Sequence, residues 1–347
     1  MNIKREEFLN DLEQVKSGLS PREFVEQSSC LCFIDGDVVT FNDEVSCRKK
    51  VGLDITGAVQ ADRLFDILGK LEDEVLTVTE NEKGELEFRG KRKSFGVTKE
   101  AEIFLPIDHV ERPEKWRPLP KEFTEAVGMV MHCTSTDESK FVLTCVHIAP
   151  EHIEACNQFQ MLRVALKTGV SDSVLVRGTA LRDLTQLAMD KVCLTKNWIH
   201  FKNGSGLVYS CRRYSEVYPS LDKLLKMKGH PIVLPKGLGK ASERAAVFAV
   251  DPAGEPYVTV SLVSGKVRVK GEGVSGWYKE VSKVSYDGPP IEFLISPELL
   301  THITANYAEA TISKDRLEVT GGHWRYVAAL SAPKTVEEES EEEKEEE

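Results

Sequence analysis

The sequence predicts an α+β protein built from one helix-and-strand unit used three times. Two observations carry this. Three amphipathic stretches recur at nearly constant spacing, with lead leucines Leu64, Leu181 and Leu299 separated by 117 and 118 residues. Each is followed by three short alternating segments that fit half-buried antiparallel strands joined by polar or glycine-bearing turns.

The recurring helices are "AVQADRLFDILGKL" (58–71), "VRGTALRDLTQLA" (176–188) and "LISPELLTHITANY" (294–307). Their apolar positions, for example Leu64, Ile67, Leu68 and Leu71 in the first, fall at helical spacing. The strand triplets that follow are 75–97, 192–211 and 310–330. A looser half-unit of strand, turn and strand also recurs, as "CFIDGDVVTF" (32–41), "CVHIAPEHIEAC" (145–156) and "VSLVSGKVRVKG" (260–271). Helical stretches precede these at 5–19 and 120–133, with a shorter one at 239–250. The proline-bearing segments 111–122 and 228–237 fit linkers, so the expected domains are 1–117, 118–231 and 232–333, followed by a tail at 334–347.

The formal net charge of −11 is concentrated in "TVEEESEEEKEEE" (335–347), whose nine Glu and one Lys carry −8. The other 334 residues are nearly balanced at −3, so the global charge does not exclude a nucleic-acid partner. The tail has too little apolar surface to offset the entropy of ordering and is expected to be disordered. It is expected either to solubilise the chain, or to repel nucleic acid from one face or contest an adjacent partner site. The charged, amphipathic N-terminal stretch does not fit a secretory signal, and no apolar run reaches the ~20 residues of a membrane span. A cytoplasmic protein without membrane association is expected. The eight cysteines, Cys30, Cys32, Cys47, Cys133, Cys145, Cys156, Cys193 and Cys211, form no C-x-x-C pair and fit buried free thiols.

Catalytic chemistry finds no foothold. Phosphate-loop and H-E-x-x-H motifs are absent. His147 and His152 in "HIAPEH" have metal-like proximity, but Pro150 lies between them in an expected hairpin turn. His132 and Cys133 are adjacent and would point apart on a helix. The expectation is a non-enzyme with neither cofactor nor metal.

A three-fold repeat of two helices plus strands without catalytic groups resembles the bacterial and phage DNA polymerase sliding clamp, the β-clamp processivity factor. The resemblance spans 1–333 and lies more in segment order than in identity. It is carried by "NIKREEFLNDLEQV", "RYSEVYPSLDKLL" (213–225), "VSGWYKEVSKVSYDGPPIEFLISPELLTHI" (274–303) and "HWRYVAAL". It implies three clamp-type domains per chain, each with two inner helices and outer antiparallel sheets. Two chains, head to tail, would close a ring around double-stranded DNA without reading its sequence. The implied partners are DNA, a DNA polymerase, a clamp loader and a second copy of the chain.

By position in that family, the DNA-facing cations are Arg63 and Lys70 on the second helix, Arg177 and Arg182 on its counterpart, and Arg22, Lys140 and Lys223 elsewhere. "FRGKRKSF" (88–95) is a denser basic patch on an expected hairpin turn, and the first helix is acidic, with Glu6, Glu7, Asp11 and Glu13. A partner-peptide pocket would use Leu162, Arg163, Val164, Pro219, Leu224, Ala329 and Leu330. Here the chain departs from the family. The usual Thr-Asp-Gly-x-Arg stretch is replaced by "CNQFQMLR", and "AALSAP" with the acidic tail replaces a Met-Pro-rich end. These small residues imply a shallower or differently shaped pocket. The competing readings are a clamp-fold scaffold that binds proteins without encircling DNA, and an enzyme on a repeated α+β scaffold.

Overall fold

The computed structural model describes residues 1–249 and 256–332. Its element order follows from local chemistry repeated along the chain. The strand Asn2–Lys4 runs directly into helix α1 (Arg5–Gln14), which buries Phe8 and Leu12, one turn apart, and leaves Glu6 and Glu7 exposed. Asp35 and Gly36, both at positive φ (54° and 78°), turn Cys30–Ile34 back onto Asp37–Phe41. That is the geometry for which an Asp-Gly pair is suited. Helix α2 (Ala61–Lys70) buries Leu64 and Leu68. Arg5 donates from Nη1 to the Leu68 carbonyl in the last turn of α2 and from Nε to the Asp73 carbonyl in the segment that follows it, both at 3.2 Å.

The second repeat contains α3 (Phe123–Met131) and the short α4 (Gly178–Leu181), which passes into a 3₁₀ turn at Asp183–Gln186. One continuous helix over 176–188 was the expectation. Thr185 instead donates its hydroxyl to the Arg182 carbonyl at 2.7 Å, and this side-chain competition accompanies the tightened turn. The third repeat contains α5 (Leu238–Ala246) and α6 (Pro297–Asn306). α5 lies directly on the strand Lys266–Gly273. A Cβ at Gly271 would come 1.8 Å from the Ala245 carbonyl oxygen, so no larger residue fits there. In the first two repeats the expected helix starts too early, because Gly57–Gln60 and Val174–Arg177 are strands that feed α2 and α4. In the third the strand Ile291–Ile295 ends and α6 starts at Ser296-Pro297, as the sequence implies.

By its contacts the chain forms two bodies, Met1–Glu154 with Leu166–Tyr218, and Ala155–Ala165 with the chain from Pro219 onward. The boundary expected at 117/118 falls inside the first body, which contains a 12-stranded sheet. In that sheet Val45–Lys50, from the first repeat, pairs antiparallel with Val208–Arg212, the last strand of the second. Trp198 packs beneath the joint, 6.0 Å from the Phe41 ring, and donates its indole N–H to the His109 carbonyl at 3.1 Å. Lys49, only 4% exposed, reaches Asp11 at 3.2 Å and the Ser205 carbonyl at 2.9 Å, tying the two repeats together.

The second body repeats the device. Gln160–Ala165, from the second repeat, pairs antiparallel with Trp324–Ala329, the last strand of the third. The equivalent strand of the third repeat, Gly276–Lys283, lies at the edge of a four-stranded sheet and pairs only with Lys266–Gly273 among the described residues. The last strand of the first repeat, Ser94–Glu100, pairs along one side with Glu85–Arg89. On its other side it meets Gly57–Gln60 only through Glu100 and Lys99. The strand-to-strand joint is thus made twice, and one half of it stands open in each body.

Candidate nucleic-acid and partner surfaces

Helices can hold cations near phosphates when an apolar stripe fixes one face and leaves the other to solvent. α2 does this: Leu64 and Leu68 face the core while Arg63 and Lys70 are exposed. Arg182, just after α4, is exposed, as are Arg22 and Lys223. Lys140 is exposed but lies 3.7 Å from Asp137.

Arg177 differs. Its side chain is 15% exposed, with Nη2 2.5 Å from Glu138 and Nε 3.4 Å from Glu44, and its guanidinium lies over the Phe141 ring. Burial works against its charge, yet the two carboxylates hold its pKa above the ordinary value. Arg177 is therefore already neutralised within the fold. Sequence reasoning missed these two acids because they are 133 and 39 positions away. It also passed over Lys240, an exposed cation on α5. α6 presents Glu298 and His302 but no Lys or Arg. The basic patch at 88–95 does form a hairpin end, between Glu85–Arg89 and Ser94–Glu100.

The residues expected to form a peptide pocket come from three segments of the second body that the structure brings together. Arg163 reaches across to Asp222 at 2.7 Å. Arg316 and Arg325 donate to the carbonyls of Leu224 and Leu225, at 3.4 and 3.0 Å, and so hold that segment in place. Ala329 donates its N–H to the Phe159 carbonyl at 2.7 Å. Within this cluster Leu162, Val164 and Leu330 are buried, whereas Pro219, Leu224 and Ala329 are exposed. Only the exposed set can meet a ligand without repacking. Asp222, Arg316 and Arg325 carried no sequence signal, since their partners are set by strand register.

Several groups suited to covalent or proton-transfer chemistry are held inert by burial. All eight cysteines are buried free thiols. Burial pushes Cys32 up to about 12 and Cys30 and Cys145 up to about 11. These thiols stay protonated near neutrality and are poor nucleophiles. His200 is fully buried between Ser210 and Thr195, at 2.8 and 3.0 Å, and burial lowers it to about 4. No helix among the described residues is long and apolar enough to cross a membrane.

No family model matches the sequence. No curated protein matches it either. Solved structures do. The DNA polymerase III subunit beta of Pseudomonas aeruginosa matches with a TM-score of 0.80 at 15% identity, over 96% of this chain and 100% of that one. The DNA polymerase sliding clamp of Bacillus subtilis matches at 0.76 and 15%, and the DNA polymerase beta subunit of Streptococcus pyogenes at 0.79 and 16%. Each of these covers 96% of this chain and 99% of its own. The chain has the sliding-clamp fold.

The resemblance in segment order and the structural match agree on the clamp fold. At about 15% identity few side chains are shared, which leaves segment order and strand pairing as the common element. The departures fall where the pocket cluster lies, in "CNQFQMLR" and "AALSAP". Of the latter, residues up to Ala332 are described, and the acidic tail expected to be disordered lies outside the described residues.

Proposed function

We propose that the chain is a non-catalytic DNA sliding clamp with three domains, 1–117, 118–231 and 232–333, two copies of which join head to tail around duplex DNA. One observation carries this reading. The same antiparallel joint links the first repeat to the second and the second to the third, leaving Gly276–Lys283 and Ser94–Glu100 with open edges. An open sheet edge is a liability that folded proteins cover or pair. A two-fold arrangement of copies pairs both edges at once and closes the assembly.

Retention on DNA then follows from topology, not from a tight site. Arg63, Lys70, Arg182, Arg22, Lys140, Lys223 and Lys240 supply cations for sequence-independent phosphate contact. Arg177 contributes to the fold beside them. The cluster around Arg163, Leu224 and Ala329 serves as the docking pocket for peptides of a DNA polymerase and a clamp loader. The protein works in the cytoplasm, where replication machinery meets DNA.

The test is retention on closed circular DNA after loading by the cognate loader or spontaneous opening. A clamp stays on the circle through a gel-filtration column at moderate salt and runs off once the DNA is cut. Equal loss from circular and linear DNA would overturn the proposal.

A further inference from the structure

The hairpin Cys145–Ala149 and His152–Cys156 carries a cluster that the clamp reading does not use. Sequence spacing placed His147 and His152 on either side of a proline-bearing turn and expected no metal. The structure adds a third donor. His147 and Glu154 are cross-strand partners in the hairpin register, and His152 and Glu154 are two apart on one strand, so all three side chains share a face. His147 Nδ1 lies 2.8 Å and His152 Nε2 3.3 Å from the same oxygen, Glu154 Oε1, and the three donor atoms lie within 4.8 Å of one another. The Glu154 side chain is 3% exposed, and those of His147 and His152 are 18% and 26% exposed. His147 is held in place by stacking on Tyr218, with centroids 5.0 Å apart.

We infer that His147, His152 and Glu154 form a binding site for a borderline divalent transition metal of the zinc class. Two imidazoles and one carboxylate are the donor set that such ions favour, with a fourth position left to water. Bonds of about 2.0–2.2 Å in a tetrahedron set neighbouring donors roughly 3.3 Å apart, close to the two spacings found here. The hairpin backbone already fixes both strands, so loading needs side-chain rotation only. In the metal-free state each imidazole donates an N–H to Oε1. On binding, those two nitrogens become ligands and each neutral ring carries its proton on the other nitrogen, His147 on Nε2 and His152 on Nδ1. Glu154, an anion beneath the two rings, offsets the charge of the ion. Hard cations such as Mg²⁺, which prefer oxygen donors, would not compete well.

The full-length protein is titrated with Co²⁺ in excess Mg²⁺, which occupies oxygen-only sites such as the glutamate-rich tail. The expected result is one set of visible d–d bands of tetrahedral intensity, displaced by one equivalent of Zn²⁺ per chain. His152→Ala, a substitution at a partly exposed strand end, should lower Zn²⁺ affinity at least 10-fold, and His147→Ala likewise. The exposed His323→Ala should bind as the parent does. Absence of the bands in the parent protein, or bands that persist unchanged in His152→Ala, would overturn the assignment. Far-UV circular dichroism of each variant confirms that a lost signal is not a lost fold.

Discussion

Ser210 lies opposite Ser46 in an antiparallel register that joins the last strand of the second repeat to the first repeat. The second body makes the corresponding joint with Leu162 opposite Tyr326. Two uses of one joint within a chain make the unused edges its most informative feature.

The edge strand Gly276–Lys283 exposes Trp277 (62%) and Val281 (50%), large apolar side chains on one face. Replacing both by Glu should leave the monomer folded, because neither is in the core, but should place charges beside the joining strand of a second copy. Sedimentation should show the parent near twice 38.8 kDa and the double variant near 38.8 kDa. A parent protein that sediments as a monomer at micromolar concentration would argue against the joint.

Cations that meet phosphates and cations already paired should separate in salt titrations. Each of Arg63→Ala, Lys70→Ala and Arg182→Ala should lower DNA affinity at low salt and reduce the slope of log K against log [salt] by about 1. Arg177→Ala should leave that slope unchanged and lower the melting temperature instead, since it strips the partner from Glu44 and Glu138.

In the pocket cluster, exposure divides binding from stability. Leu224→Asp, at a site 38% exposed, should weaken a polymerase-tail peptide roughly 10-fold, measured by fluorescence anisotropy, with little change in melting temperature. Leu162→Ala, at a site 3% exposed, should instead cost about 2–5 kcal/mol of stability, measured by urea denaturation.

His200 makes stability depend on pH. Burial holds its folded pKa near 4, against an ordinary value of 6.5, so the unfolded chain takes up a proton first as the pH falls. Between those two values the unfolded state binds more protons, and stability falls as the pH falls, by up to ~3 kcal/mol. Glu111 is also held low: burial alone would raise it, but hydrogen bonds from Thr195 and Asn197 outweigh that. Its contribution is lost only below the ordinary carboxylate value of 4.5, outside most of the His200 window. His200→Gln should flatten the slope between pH 6.5 and 4 in denaturant midpoints.

Much of this fold was legible in the sequence because its repeat is written in local chemistry. Leu64 with Leu68, and Leu300 with Ile303, mark helix faces, and Asp35-Gly36 marks a hairpin by its turn geometry. What stayed hidden depends on register between distant strands. Glu154 joins His147 only once the hairpin is paired, and Asp222 meets Arg163 across 59 residues of sequence. Arg177 looked like a free cation for the same reason: Glu44 reaches it only after the first two repeats have joined. The break between α4 and its 3₁₀ turn is accompanied by a Thr185 hydroxyl bond to the Arg182 carbonyl, which helical periodicity does not register.

The joint itself can be trapped. Thr98→Cys and Val281→Cys place one exposed thiol on each open edge, while the eight native thiols are buried. Treatment of the double variant with a short bismaleimide should give a denaturant-resistant species of twice 38.8 kDa, with each single variant remaining at 38.8 kDa on the gel. Formation in the presence of closed circular DNA should leave the protein on the circle in denaturant until the DNA is cut. Double-variant protein that stays monomeric on the gel, or that is released from the intact circle, would contradict a ring closed through Ser94–Glu100 and Gly276–Lys283.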